Sequence, residues 1–289
     1  MSFKSIKRKK VFVAVLVLAS IGVMAMLQYH VVSNLQSLVA LPVLVSDIKS
    51  DMLTLRRNEK DFLARKDLLY RQKFLDNYDL MQRNLQILTL ELQENDIKDT
   101  KTNQLAENLD SYKEKFLALV ELQKKIGFNH QDGLYVSLRN AIHQVEVLLQ
   151  VQQKYQLNKD MLMLRRHEKD FMLRNDLIYV EKFDKDMAVM QAGLSHAYLE
   201  PSVKGRITTA LVAYENDFKA LVSAVQQIGL SSNDGLHGEM RKSIHQVEDT
   251  LHELHRETLL LVDNAGSSTI MQILAFSVAL ILFIVAFIR

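Results

Sequence analysis

Apolar residues recur at spacings of three and four along most of this chain. Leu105, Leu109, Tyr112, Phe116, Leu119 and Leu122 fall on one face of a single helix. No segment alternates apolar and polar positions with a period of two, so the pattern predicts an all-α protein. Two segments break the amphipathic rhythm because they carry no charge at all: Val11 to Leu27, with apolar character resuming at Val31 and Val32, and Ile270 to Ile288. Each is close to the roughly 20 residues a helix needs to cross a bilayer. The first exceeds the usual ~7–15 apolar residues of a signal peptide, which predicts a retained anchor.

Within the region between these spans, the pattern repeats itself. Leu55–Phe74 (LRRNEKDFLARKDLLYRQKF) matches Leu164–Phe183 (LRRHEKDFMLRNDLIYVEKF) at 13 of 20 positions, and Gly127–Glu146 matches Gly229–Glu248 at 10 of 20. The offsets are 164 − 55 = 109 and 229 − 127 = 102, a difference of seven residues, or nearly two helical turns. Turn signals are sparse: Asn95–Asp96, the loop 127–133 (GFNHQDG), Glu200–Pro201–Ser202 and the loop 229–235 (GLSSNDG). A chain that leaves and re-enters the same membrane face reverses an odd number of times. A fifth reversal is therefore expected near Leu157–Asn158–Lys159–Asp160. Six helices follow, at about 33–95, 98–127, 134–156, 160–199, 202–228 and 235–269, two long and four short. The expected architecture is two stacked four-helix bundles flanked by two transmembrane helices.

Charge adds orientation. Lys4, Lys7, Arg8, Lys9 and Lys10 precede the first span, which places the N-terminus in the cytoplasm. The expected organisation is a basic cytoplasmic segment at 1–10, a span at 11–32, an external helical domain at 33–269 with repeats at about 46–156 and 157–269, and a second span at 270–288, with Arg289 returning inside. The net charge is only +2, so no broad basic surface points to nucleic acid. Cysteine is absent, so no disulfide is expected. There is no Gly-rich phosphate loop, Cys/His metal box or nucleophile elbow. No enzymatic activity, cofactor or metal is expected, and His252 with His255 lacks a third ligand.

Two membrane helices enclosing a helical domain with repeated LRRxEKDF segments, each followed by Arg and Asp, resemble the helical bimodular sensor domain of bacterial chemoreceptors and some sensor kinases. The resemblance covers the chain from the first span to the second. It implies a periplasmic domain in the inner membrane, a homodimer, and binding of small organic acids: tricarboxylic-acid-cycle intermediates in the membrane-proximal module and acetate in the distal one. It also implies a cytoplasmic signalling domain or chain that receives the signal. The rival expectations are a kinase sensor region that reads a periplasmic binding protein and a non-signalling anchored bundle.

A carboxylate site needs guanidinium forks, because a planar guanidinium grips a carboxylate with two hydrogen bonds. The six-helix topology groups Arg57, Arg174 and Arg241 in the proximal module, with Gln226, Gln227 and His245 beside them, and their repeat mates Arg65, Arg139 and Arg166 in the distal module with His143. A plainer reading competes. Arg57 faces Asp61, and Arg166 faces Asp170, at i+4, and such pairs stabilise an exposed helix by about 0.2–0.5 kcal/mol each.

Overall fold

The computed structural model describes residues 3–98 and 101–288. Arg289 lies outside the described residues, as do the side chains of Lys4, Lys7, Arg8, Lys9 and Lys10, so the charges that set the expected orientation are not described. The described residues form eight helices: α1 Phe3–Arg65, α2 Leu68–Glu94, α3 Lys101–Ile126, α4 Gly133–Val151, α5 Tyr155–Arg174, α6 Ile178–His196, α7 Pro201–Ile228 and α8 Gly235–Ile288. Among the described residues there is no strand. α1 and α8 each contain a stretch long and apolar enough to cross a membrane, and no residue in the most apolar window of α8 is fully buried.

The two long helices expected at 33–95 and 160–199 are each split in two. α1 ends at Arg65 because Lys66 adopts a left-handed conformation, φ 52°, with its N–H donating to the Phe62 carbonyl at 2.7 Å. Asp67 then starts α2, its carboxylate accepting from the Leu69 N–H at 2.9 Å. The second copy repeats the device: Asn175 at φ 51° donates to the Phe171 carbonyl at 2.8 Å, and Asp176 accepts from the Ile178 N–H at 3.0 Å. A left-handed C-cap followed at once by an Asx N-cap turns a helix into a hairpin. Asn58 accordingly donates to the Lys73 carbonyl across the α1–α2 pair at 3.2 Å, and His167 lies 2.9 Å from Asp186 across α5–α6. The fifth reversal also moves. Residues 157–160 are inside α5, and the turn sits at 152–154, with Gln153 left-handed at φ 53°.

The chain divides into two compact units. One holds Met1–Leu55, Asn77–Glu107 and Val247–Arg289. Its core is formed by Leu41, Val45, Ile48 and Met52 of α1 with Met81, Leu85 and Leu88 of α2 and Val247, Leu251 and Leu254 of α8. Polar ties run across it. Asn84 donates to Asp51 at 2.6 Å, and the Lys101 ammonium reaches Glu253 at 2.9 Å and Glu257 at 2.5 Å. Burial raises the Asp51 carboxyl above its ordinary range.

The other unit holds Arg56–Asp76 and Asn108–Gln246. The repeat is visible in its core as two equivalent aromatic clusters. Phe62, Phe74, Tyr112 and Phe116 are fully buried, with Phe74 and Phe116 ring centroids 4.1 Å apart. Phe171, Phe183, Tyr214 and Phe218 are their counterparts, with Phe183 and Phe218 also 4.1 Å apart. Burying each such ring is worth at most about 1.5–3 kcal/mol. In the second cluster the Tyr214 hydroxyl donates to the buried Glu168 carboxylate at 2.6 Å, and in the first Tyr112 donates to Glu59. Consecutive helices α4 to α7 pack as antiparallel neighbours and α4 also packs on α7, closing the ring.

α7 begins as its sequence predicts. Pro201 occupies the first turn and Glu200 caps it, accepting from the Ser202 N–H at 2.9 Å and the Val203 N–H at 3.3 Å. The loops 127–133 and 229–235 each open on a glycine that no other residue replaces easily. A Cβ on Gly127 (φ 113°) would sit 2.5 Å from the Asp132 carbonyl oxygen, and one on Gly229 (φ 120°) 2.1 Å from that of Asp234.

Tyr214→Phe keeps the ring but leaves Glu168 short of a donor. Urea unfolding should show a loss of about 1–3 kcal/mol with unchanged helical circular dichroism. An unchanged midpoint would mean that the hydroxyl does not hold the carboxylate.

Candidate functional site

A concave site lined by several basic side chains lies between α4 and α5. It is a cavity of about 450 Å³ lined by Asn129, His130, Tyr135, Arg139, Ile142, Arg165, Glu168, Lys169 and Met172. α5 presents Leu164, Glu168 and Phe171 to the core, so Arg165, next to this face, flanks the interior and is half-buried. Arg166, about 200° around the helix from Leu164, points outward.

The charges are arranged, not merely collected. Glu168, 3% exposed, has both oxygens engaged: one by Tyr214, the other by the Lys169 ammonium at 2.6 Å. Burial first, and then the Glu168 charge, push the Tyr214 phenol far above its ordinary value, so it remains a donor. Arg165 donates to Glu146 at 3.3 Å through one nitrogen of its fork. Arg139 reaches the His130 carbonyl at 3.3 Å. Tyr135 forms a wall, with the Lys66 ammonium 5.8 Å from its ring centroid. Burial lowers the Lys66 pKa, while burial and the nearby Asp132 raise that of the Tyr135 phenol. Three cations and the paired Glu168 therefore surround a cavity with apolar walls at Ile142 and Met172.

The α4 and α5 residues of this site have repeat mates, whereas Asn129 and His130 in the loop correspond to Ser231 and Ser232. Subtracting 109 on α5 gives Arg56, Glu59, Lys60 and Leu63 on α1, and adding 102 on α4 gives His237, Arg241 and Ile244 on α8. The local bonding is copied as well. Lys60 donates to Glu59 at 2.7 Å, Tyr112 donates to the other oxygen of Glu59, and Arg241 bonds the preceding loop through Asn233 at 2.9 Å. Burial and Glu59 hold the Tyr112 phenol well above its ordinary value, with Arg56 opposing. His237 senses both Glu59 and Lys60; burial, the largest influence, lowers its pKa below the ordinary 6.5.

Of the residues singled out in the sequence, Arg139 lines the cavity and Arg241 occupies the equivalent place on α8. Arg57 is exposed on α1. Arg166 is exposed and lies 3.8 Å from Asp170. Arg65 and Arg174 sit at the two hairpin tips, 3.5 Å from Asp61 and 3.9 Å from Asp170, and cover the Tyr70 and Tyr179 rings. Gln226 and Gln227 are exposed near the end of α7, and Gln227 bonds Ser223. His143 is exposed, 3.5 Å from Glu146, and His245 is exposed on α8. Arg56 and Arg165, which sequence reading passed over for their neighbours, were accessible to it: each directly follows a leucine of the apolar stripe, Leu55 and Leu164. Among the described residues no group of three or more His, Cys, Asp or Glu side chains is placed to hold a metal ion.

Compared with known proteins, the chain matches no family model and no curated protein.

His237 supplies a pH test. Its folded pKa is depressed, so as pH falls the unfolded chain takes up this proton first, and stability drops below about pH 6.5. His237→Gln should flatten that drop below about pH 6.5 in thermal unfolding. An identical pH profile in the variant would contradict the assignment.

Proposed function

We propose that the chain is the ligand-sensing region of a two-pass membrane receptor for small organic acids, with architecture and role similar to the helical bimodular sensors of bacterial chemoreceptors. The observation that carries this reading is the cavity between α4 and α5, where Arg139, Arg165 and Lys169 approach one space from two helices. A guanidinium fork recognises a carboxylate by paired, charge-assisted hydrogen bonds, and the apolar walls exclude water around them. In this reading six helical rods are counted from the eight helices by taking α3 with α4 and α7 with α8 across their Gly-bounded loops. α1, α2, α5 and α6 are the short ones outside the membrane, and two four-helix bundles result. The equivalent residues Arg56, Lys60 and Arg241 belong to the same compact unit and offer a second set of cations of the same kind.

Signal output follows from α8, which carries Arg241 and runs unbroken into the second apolar stretch. Drawing α8 toward a bound carboxylate shifts the membrane helix by ~1–2 Å, the scale of known ligand-coupled helix movements, toward a cytoplasmic signalling domain or chain. A homodimer is supported by α1. Positions 32, 36, 39, 43, 46, 50 and 53 (Val, Gln, Val, Val, Ser, Ser, Leu) are exposed, uncharged and spaced by alternating steps of four and three. That spacing is the one a two-helix seam uses, with Val32, Val39, Val43 and Leu53 as its apolar positions.

Calorimetry on the full chain in lipid nanodiscs, titrated with succinate, malate, citrate and acetate, tests the reading. At least one acid should bind. Arg165→Ala should weaken binding at the cavity about tenfold or more, whereas Lys219→Ala, at an exposed ion pair, should leave it within twofold. No binding of any acid by a folded chain would overturn the proposal. Orientation is tested separately: the chain has no cysteine, so Tyr198→Cys, at a position 96% exposed, should react with a membrane-impermeant maleimide from the periplasmic side only.

A further inference from the structure

The loop 127–133 touches two things at once. On one side Asn129 and His130 line the cavity between α4 and α5, and Tyr135, in the first turn of α4, continues that wall. On the other side the same stretch rests on the end of α1. Phe128 packs edge-on against Phe62, ring centroids 6.4 Å apart, and the Lys66 ammonium lies 5.8 Å from the centroid of the Tyr135 ring. Asp132 ties the loop together, accepting from the Phe128 N–H at 3.2 Å and from the Asn129 N–H at 2.9 Å. One carboxylate thus fixes both the residue against α1 and the residue against the cavity. All of them belong to one compact unit.

The turn itself does not require these contacts. In the second copy Gly229, Asp234 and Gly235 stand where Gly127, Asp132 and Gly133 stand in the first. The counterparts of Phe128, Lys66 and Tyr135, however, are Leu230, Asn175 and His237, so neither a ring pair nor an ammonium over a tyrosine can form there. The link to the end of α1 is a property of the first loop alone.

We infer that the 127–133 loop transmits occupancy of this cavity to α1: an anion held by Arg139 and Arg165 draws the Lys66 ammonium and steadies Phe128 on Phe62, so that the last turn of α1 is fastened when the cavity is filled. This rests on the reading that the cavity binds a small organic acid, and it adds a route to the first membrane span beside the one through α8.

Lys66 is half-buried, no carboxylate among the described residues forms an ion pair with it, and burial lowers its pKa. Its charge is therefore held at a cost, and a ligand anion nearby offsets that cost. Lys66 is also the residue that ends α1, through its left-handed backbone and its N–H on the Phe62 carbonyl. A pull on its side chain acts on the cap itself. From this cap α1 runs without a break to Phe3, through the first apolar stretch. Such coupling is reciprocal: whatever a bound acid does to the end of α1, the end of α1 does to the affinity for that acid.

Hydrogen exchange and calorimetry on the full chain in nanodiscs test this, with succinate, malate, citrate and acetate as probes. The acid followed is one whose binding Arg165→Ala weakens. At saturation it should slow exchange of the amides of residues 62–66 by about fivefold or more, the lower end of ordinary coupling. Lys66→Gln removes the charge. It should weaken binding about fivefold and abolish most of the slowing, and Lys66→Arg, which keeps a cation over the ring, should restore both. Phe128→Leu gives the loop the residue its copy carries and leaves every charge in place. It should reduce both affinity and slowing, which loss of a nearby cation alone does not explain. Slowing confined to α4 and α5, or variants that lose affinity while the slowing in α1 persists at saturation, overturns the coupling. If no acid binds, or none is sensitive to Arg165, the organic-acid reading fails and this inference with it, an outcome distinct from binding without a response in α1.

Discussion

A carboxylate buried in a helical core has to be satisfied, and the described residues include two such groups, Glu59 and Glu168, each almost completely covered. An unpaired ion there would cost several kcal/mol. The partners are a phenol from a distant helix and the lysine that follows each glutamate. The phenol requirement fixes the register of α3 against α1 and of α7 against α5, because Tyr112 and Tyr214 reach their glutamates only in one axial alignment. The aromatic rings one turn away, Phe116 on Phe62 and Phe218 on Phe171, pack in that same alignment. A polar contact selects the register and hydrocarbon burial supplies most of its stabilisation.

The same glutamates place the cations. Lys60 and Lys169 are tied to them directly, and Arg56 and Arg165 lie three residues earlier on the same helices, beside the apolar stripe. A buried pair that orders the core thus also holds basic groups at the edge of a cavity. This explains why so charged a segment recurs. In LRRxEKDF the leucine, glutamate and phenylalanine face inward, while the first arginine and the lysine occupy the boundary. The arginine and aspartate that follow belong to the hairpin tip, where Asp67 and Asp176 cap the next helix.

Helical content, the duplication and the two apolar stretches were legible in the sequence because each rests on periodicity or length over many residues. The hairpin tips were not. Lys66–Asp67 and Asn175–Asp176 contain neither glycine nor proline, and the left-handed conformation at Lys66 has no compositional marker. Only the aspartate cap was visible, and it reads equally well as a solvated charge within a helix. The glycines pulled in the other direction: loops 127–133 and 229–235 carry the strongest turn composition in the chain. For the site, Arg139 and Arg241 were readable from the duplicated loops, whereas preferring Arg57 and Arg166 over Arg56 and Arg165 was a matter of helical phase. One residue is 100°, enough to move a guanidinium from the cavity edge to solvent.

The cavity between α4 and α5 is assembled from the end of the first repeat and the beginning of the second, and the equivalent residues Arg56, Lys60 and Arg241 come from the beginning of the first and the end of the second. A pocket placed across such a seam does not require the repeats to share a chain. Two separate copies of a single four-helix repeat, related by a twofold axis, would form it twice, identically. Joining the copies removes the obligation to remain identical. A substitution on α8 then alters one set of cations without altering the set on α4 and α5.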